Sequence, residues 1–447
     1  MPLSQRDIDD CLRVLETLAD DRAQLLEIEV GARHRLLTAA GRVSRPDRSE
    51  QRQLLKAARK KDRREVRAHD QALLERAQIR QKRLETVFVT PDPEQLRGAA
   101  GSEAESGAAP EAGHEHDAPP LHVARACYVC KTRVTRVHPF YDQMCADCGD
   151  FNYRKRNQTA DLGGRVALIS GARVKIGYQA AIMLLRAGAR VIVTTRFPRD
   201  AALRYAREKD HADWGHRLQI YGLDLRHTPS VEAFAKQLSD RETRLDFVLH
   251  NACQTVRRPS GFYSHLMDGE LSPAASLAEP VRRLLQDYEE LRASTAHRLG
   301  HGSATEPLFP VGLQAAPALS QVALADEDRH AGQQLFPVGQ LDADLQQVDL
   351  RDINSWRLPL DRVGTVELLE VQLVNAIAPF VLNARLKSLM LRERTFDKHI
   401  VNVSAMEGQF YRRFKTDKHP HTNMAKAALN MLTRTSAQDY VKSNIYM

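Results

Sequence analysis

From Gly164 the chain reads as strand, glycine turn, amphipathic helix and strand: RVALIS, then SGARVKIGYQAAIMLLRAGA, then RVIVTTR. This order constrains the fold more than any other feature, because two consecutive parallel strands need a crossover helix and the crossover has one hand. Apolar strand runs without alternation point to a sheet covered on both faces. Gly171 permits a tight turn off the first strand. Gly177 lets the helix pack closely while its N-terminus faces an anion such as a pyrophosphate. Three further strand-like runs follow, LQIYGLDL, LDFVLHNAC and KHIVNVS. The expected class is α/β, a doubly wound parallel sheet.

What precedes this core differs in composition. The 447 residues carry a net charge of +8, and 43% are hydrophobic, which excludes collagen-like, mucin-like and wholly disordered chains and suggests two or three domains. The first residues, MPLSQRDIDD, lack a basic segment followed by an apolar core, and no run approaches the roughly 18 apolar residues that span a bilayer. A cytoplasmic protein with no membrane partner is expected. Between Arg45 and Arg83 stand 14 Lys or Arg against 6 Asp or Glu, an excess equal to that of the whole chain. This segment follows a helix expected to start at Ser4, with Asp7 three residues on and Ile8, Leu12, Leu15, Leu18, Leu25 and Ile28 at helical spacing. After Ser44, Arg45 and Pro46 a second helix is expected over 47–84, giving a coiled-coil-like helical hairpin. Its basic face would attract nucleic acid or an acidic protein. The interleaved Asp62, Glu65, Asp70 and Glu75 argue for a solvated helix laced with ion pairs.

Residues 99–122 are rich in Ala, Gly, Ser, Pro and Glu and read as a flexible linker; His114 and His116 are expected to be solvated there. Residues 123–157 then hold Cys127, Cys130, Cys145 and Cys148 as two Cys-x-x-Cys knuckles. Four thiolates supply the tetrahedral soft set that zinc prefers and leave no open position, so a structural Zn2+ is expected in a reducing compartment. His138 is expected to cap or pack rather than ligate.

Further motifs extend the glycine turn into a family pattern. SGARVKIG, from Ser170 to Gly177, resembles the Thr-Gly-x-x-x-Gly-x-Gly turn of the short-chain dehydrogenase/reductase family. Asp224 and Leu225 resemble its adenine-contacting Asp, and His250, Asn251, Ala252 and Cys253 its Asn-Asn-Ala-Gly strand end. Asn375 resembles its water-holding helix asparagine, and Lys426 the lysine of Tyr-x-x-x-Lys. The similarity covers roughly residues 160 to 447, apart from one insertion. It implies a Rossmann fold over 158–447, hydride transfer between carbonyl and alcohol, and association through the Rossmann helices. It also implies a nicotinamide dinucleotide held by Ser170, Gly171, Arg173, Lys175, Ile176, Gly177, Arg196, Asp224, Leu225, Asn251, Ala252 and Lys426. The second strand ends in Thr194, Thr195 and Arg196 rather than an acid, which favours a 2′-phosphate and hence NADP(H) over NAD(H).

The departures fall at the reacting centre. Lys175 replaces the middle glycine, where its charge would neutralise a phosphate. The family's catalytic Ser aligns with Ala405, while Ser404, one residue earlier, is expected to face the other side of the strand end. Thr422 stands where the Tyr should be, and an aliphatic hydroxyl is too weak an acid for that role. Asn375, Lys426, Ser404, Thr422 and Tyr411 form the candidate catalytic set, with Tyr411, His419 and His421 as replacement donors or mere loop packing. Two readings result: an NADP(H) oxidoreductase with a displaced proton donor, or a catalytically degenerate scaffold or sensor whose zinc ribbon and basic helix bind a partner.

An insertion over about 254–360 is expected to form a lid or subdomain on the substrate side. LFPVG occurs in it twice, at Leu308 and Leu335, and Trp356 is expected in a subdomain core. Cys253 is expected to be buried and Cys11 to lie on a helix face. SNIYM reads as the first residues of a sixth strand; the family's last two strands and the helix between them are expected to be missing.

Overall fold

A computed structural model of the chain describes residues 3–84, 119–156, 158–299, 311–330, 334–342, 344–411 and 415–447. Most of the expected linker, with His114 and His116, lies outside the described residues. Two compact units are present, residues 1–77 with 117–146, and 78–116 with 147–447.

In the first unit, α1 (Gln5–Asp20) opens as expected: Ser4 Oγ accepts the Asp7 N–H, and the Asp7 carboxylate accepts the Ser4 N–H at 2.9 Å. The apolar stripe does not continue as one helix to Ile28. Asp21 starts a 3-10 turn (Arg22–Leu26) by accepting the Ala23 N–H, and Glu29 starts α2 (Val30–Ser44) by accepting the N–H groups of Gly31 and Ala32. Each acid caps a new helix instead of extending the old one. The basic segment likewise forms two helices, α3 (Arg48–Glu75) behind an Asp47–Glu50 capping box and the short α4 (Gln78–Lys82), which is counted in the second unit. α3 stops where the Arg76 N–H is shared between the carbonyls of Leu73 and Leu74, a tightened last turn. Asp70 ties α3 to the ribbon by accepting the N–H groups of His122 and Val123 at 2.8 and 3.0 Å. The ribbon hairpin pairs β1 (Arg125–Ala126) with β2 (Arg133–Val134). After it comes α5 (Ala146–Arg156).

The second unit is built on a six-stranded parallel sheet. Its strands are β3 (Val166–Ser170), β4 (Arg190–Thr195), β5 (Leu218–Gly222), β6 (Phe247–His250), β7 (Lys398–Asn402) and β8 (Ile445–Tyr446), in the order β5-β4-β3-β6-β7-β8. Every residue of β3 is buried, as its unbroken apolar run requires of a strand covered on both faces. The order reverses between β3 and β6, so their neighbouring crossovers leave on opposite faces and open a crevice at the carboxyl ends. Helices α6 (Lys175–Arg186), α7 (Pro198–Ala206) and α8 (Thr228–Arg241) follow the first three strands. β8 covers part of the fifth family strand by pairing Lys398 with Ile445 and His399 with Tyr446.

The insertion behaves differently from a simple lid. After α9 (Ser264–Leu271), its helix α10 (Glu279–Leu299) places Val281, Leu284, Leu285 and Tyr288 in the same core as the sheet. Tyr288 lies over β5, where a Cβ on Gly222 would meet its hydroxyl at 2.2 Å. The edge strand is thereby covered. After the insertion, α11 (Thr365–Gln372) runs through a π turn (Leu373–Ile377) into α12 (Ala378–Met390). Contrary to the sequence expectation, this stretch is long and apolar enough by length and composition to cross a membrane. In the fold Leu382, Leu386 and Leu389 of α12 are buried in the sheet's core. The last helix is α13 (Pro420–Tyr440).

Candidate functional site

A cavity of about 580 Å³ opens at the carboxyl ends of the strands, around the switch point. Gly171, Arg173, Lys175, Ile176, Arg196, Asp224, Leu225, Asn251, Ala252, Ser404, Thr422 and Lys426 all line it. Ser170, Gly177 and Asn375 stand behind this lining, and Tyr411 is fully exposed away from it.

At one end the backbone sets the shape. Gly171 has φ +70°, and a Cβ there would meet Ala252 Cα at 2.6 Å; one on Gly177 would meet Asn251 Nδ2 at 2.4 Å and the Gly171 carbonyl at 2.5 Å. Ser170 Oγ accepts the Ala252 N–H at 3.1 Å, locking β3 to β6. Lys175 adopts φ 58°, so the lost glycine has left its left-handed backbone behind. Its ammonium faces Asp344 of the insertion at 3.5 Å. Arg196 lies against Tyr263, also from the insertion. Arg173 is buried and donates to Asp200 at 2.6 Å. Burial works against the charge of Asp200, but Arg173 and Arg204 overcome it and hold the carboxyl below its usual range.

Asp224 is buried, and its own N–H is bonded to the Gly312 carbonyl at 2.7 Å. Arg226 forks onto its carboxylate and also reaches Glu370 at 2.9 Å. Burial raises the Asp224 pKa less than Arg226 lowers it. The Arg257 guanidinium stands 3.3 Å from Glu370 and donates to Asp328 at 2.6 and 2.9 Å. A buried chain of alternating charge thus connects the carboxyl end of β5 to the insertion. Sequence reading missed Glu370, Arg257 and Asp328, since no family motif reaches them; Arg226, two residues after Asp224, was the available signal.

At the other end, Lys426 is buried and donates from Nζ to the Val403 carbonyl at 2.9 Å. Asn375 sits in the π turn, a local widening often found at functional sites. Its Nδ2 donates to the Gln254 carbonyl at 2.8 Å, and its Oδ1 accepts the Gln254 N–H at 3.2 Å. Thr422 is buried and makes a 3.4 Å bond to the Thr255 carbonyl. Ser404 does not face away. β7 ends at Asn402, strand alternation stops there, and both Ser404 and Ala405 line the cavity. Among the described residues the buried Ser404 Oγ has no hydrogen-bond partner.

Cys253, expected to be buried, is exposed and lines the cavity. Trp356, expected in a subdomain core, also lines it; His419 stacks on its ring at 4.0 Å and 7°. His419 Nδ1 is 2.9 Å from the Trp356 carbonyl, and His421 is buried with Nε2 3.7 Å from Glu367. Both histidines lie outside the cavity lining. His250 is buried against Asn383 Oδ1 at 2.7 Å, and burial pushes its pKa down to about 4.

The sulfurs of Cys127, Cys130, Cys145 and Cys148 all lie within 4.8 Å of one another. A tetrahedron with zinc–sulfur bonds of about 2.3 Å has sulfurs about 3.8 Å apart, and Cys130 and Cys145 are separated by 3.8 Å. Burial pushes the Cys127 thiol up, but N–H groups of Cys145, Cys130 and Val129 bring it down to about 6. His138 accepts the Phe140 and Tyr141 N–H groups at 3.0 and 3.3 Å, the expected capping role.

Residues 165–267 match the family described as short chain dehydrogenase. A protein of Acanthamoeba polyphaga mimivirus is 30% identical over 323 residues, 70% of this chain and 59% of that one. Dehydrogenase/reductase SDR family member 13 of Bos taurus is 31% identical over 163 residues, 34% of this chain and 41% of that one. Retinol dehydrogenase 11 of Homo sapiens is 31% identical over 166 residues, 35% and 52% of the two chains. The chain spans about half the length of these curated relatives.

Proposed function

Because the chain belongs to the short-chain dehydrogenase/reductase family, we propose that it is an NADP(H)-dependent oxidoreductase interconverting a carbonyl and an alcohol with an atypical proton donor. The observation that carries this reading is the cavity itself, which retains Lys426 at one end and the glycine turn with Asn251 and Arg196 at the other. The residues fit a dinucleotide: Gly171 lets the turn pack directly on Ala252 at the edge of the cavity, the α6 N-terminus favours phosphate, and Arg196 suits a 2′-phosphate.

When bound, the nicotinamide ring supplies or accepts the hydride. The chain's own residues bind, orient and protonate. Lys426 keeps two ammonium protons beyond its bond to Val403 and stabilises negative charge building on the substrate oxygen. Ser404, with no internal acceptor, donates a hydrogen bond to that oxygen, while the Thr422 hydroxyl is turned to the Thr255 carbonyl. Asn375 holds Gln254 and so fixes the backbone beside Cys253. Without a phenol, proton delivery falls to the Lys426 ammonium, and turnover is expected to be slow.

The test is titration of the purified chain with NADPH, followed by NADPH oxidation across a carbonyl panel. Micromolar binding with turnover is the expected result; no binding at millimolar NADPH overturns the reading. Binding without turnover supports a catalytically silent, cofactor-binding scaffold instead.

The four cysteines are assigned a structural Zn2+, consistent with a reducing, cytoplasmic setting. One equivalent of zinc by elemental analysis is expected, with loss of ribbon structure on chelation. The exposed basic residues of α3, from Arg48 to Arg67, are assigned to an acidic partner, checked by salt-sensitive binding of residues 1–157.

A further inference from the structure

The insertion supplies one residue to the nucleotide end that the family pattern does not contain. Tyr263 closes a 3-10 turn (Ser260–Tyr263) just before α9, and only 9% of its surface is exposed. Its ring lies against Phe197, with centroids 4.9 Å apart. The Arg196 guanidinium stands 4.7 Å from the Tyr263 ring centroid and donates from Nη2 to its hydroxyl at 2.8 Å.

The surrounding guanidinium groups are committed to carboxylates. Arg173 and Arg204 pair with Asp200, Arg199 with Glu289, and Arg226 with Asp224 and Glu370. Among the described residues no carboxylate forms an ion pair with Arg196. Asp224 feels the charge of Arg196, but Arg226 already forks onto that carboxylate; a half-buried guanidinium held by an aromatic ring, with donors left over, can therefore take a further anion. The Tyr263 hydroxyl accepts from Arg196 and so keeps its own proton free to donate.

We propose that Tyr263 is a specificity-determining residue: it fixes the Arg196 guanidinium and adds its own O–H to a two-donor seat for the 2′-phosphate of the cofactor. This rests on the NADP(H) reading above. In this arrangement the insertion reads the phosphate. NADH would leave a partly desolvated cation without a partner.

The experiment measures binding of 2′,5′-ADP, 5′-AMP, NADPH and NADH to the full chain and to Tyr263→Phe, Tyr263→Ala and Arg196→Lys. The native chain is expected to prefer 2′,5′-ADP over 5′-AMP. Tyr263→Phe keeps the ring and should weaken 2′,5′-ADP roughly tenfold to 150-fold, as loss of one hydrogen bond to a charged group does. Unchanged 5′-AMP affinity reports an intact site. Tyr263→Ala should lose more, and Arg196→Lys, which keeps the charge but not the fork, should fall between. If the native chain discriminates and Tyr263→Phe matches it, or if Tyr263→Phe weakens both mononucleotides equally, this proposal is overturned while NADP(H) binding stands. If the native chain binds neither dinucleotide, the underlying reading fails instead.

Discussion

At the nucleotide end of the cavity, residues that depart from the family pattern, and Asp224 that keeps it, come with partners. Lys175 faces Asp344, Arg196 lies on Tyr263, and Asp224 is gripped by Arg226. At the reaction end they do not. Thr422 makes one long bond to a backbone carbonyl, and Ser404 Oγ has no partner among the described residues. Three of these contacts join the Rossmann scaffold to the insertion or to a neighbour two residues away. The Lys426 end lacks the phenol of the family pattern and keeps the ammonium group. The two ends should therefore respond differently to substitution.

The largest effect is expected at Lys426. Lys426→Met should lower kcat by about 10²- to 10³-fold, as removal of one preorganised charge stabiliser does, while the NADPH Kd moves by less than roughly tenfold. Steady-state kinetics beside a binding titration check this; equal changes in both would erase the distinction between the ends. Gly177→Ala comes next. Its methyl would meet Asn251 and the Gly171 carbonyl inside van der Waals contact, and overpacking of this kind costs about 1–3 kcal/mol. Denaturant unfolding should show that loss, and NADPH binding should weaken with it.

A pH dependence comes third. Glu270, at the end of α9, accepts the Arg199 and Asp200 N–H groups at the start of α7. Burial nevertheless raises its pKa from 4.5 to about 7. The folded state keeps a proton that the unfolded state has already lost, so its contribution to stability is complete below about 4.5 and disappears as pH rises to about 7. Glu270→Gln should flatten that part of the stability profile. A slope that persists in the variant would assign the titration elsewhere.

The smallest effect belongs to Lys175→Gly. Relieving a left-handed lysine, offset by the entropy of the new glycine, should stabilise by about 0.5–1 kcal/mol. The half-exposed pair with Asp344 adds little. A lower melting temperature would show that this pair, and not the backbone, governs the turn.

How much of this was legible in sequence follows from where each interaction closes. The glycine turn, Asn251 and Lys426 are local signals on single elements, and their placement follows from strand and helix order. Ser404 was misread because strand alternation was extended past Asn402. Cys253 and Trp356 were misread because burial depends on what the chain does about a hundred residues away. Glu370, Arg257 and Asp328 were invisible for the same reason: each is an ordinary charged residue until three distant segments meet. Tyr411, His419 and His421 looked useful by proximity in sequence. Full exposure of the first and packing of the other two outside the cavity remove them from the lining.

The register of β6 with β7 sets a timetable as well as a shape. Phe247 lies opposite His399, so about 150 residues must be synthesised after β6 before its partner exists. At about 5–20 residues per second, the newly formed half-sheet waits roughly 10–30 s with one side open. During that interval α10, made midway, can already lay Leu284 and Tyr288 against the core behind β5. The insertion then acts as a built-in escort for a slow, long-range closure, protecting one margin of the nascent sheet while the other awaits its strand.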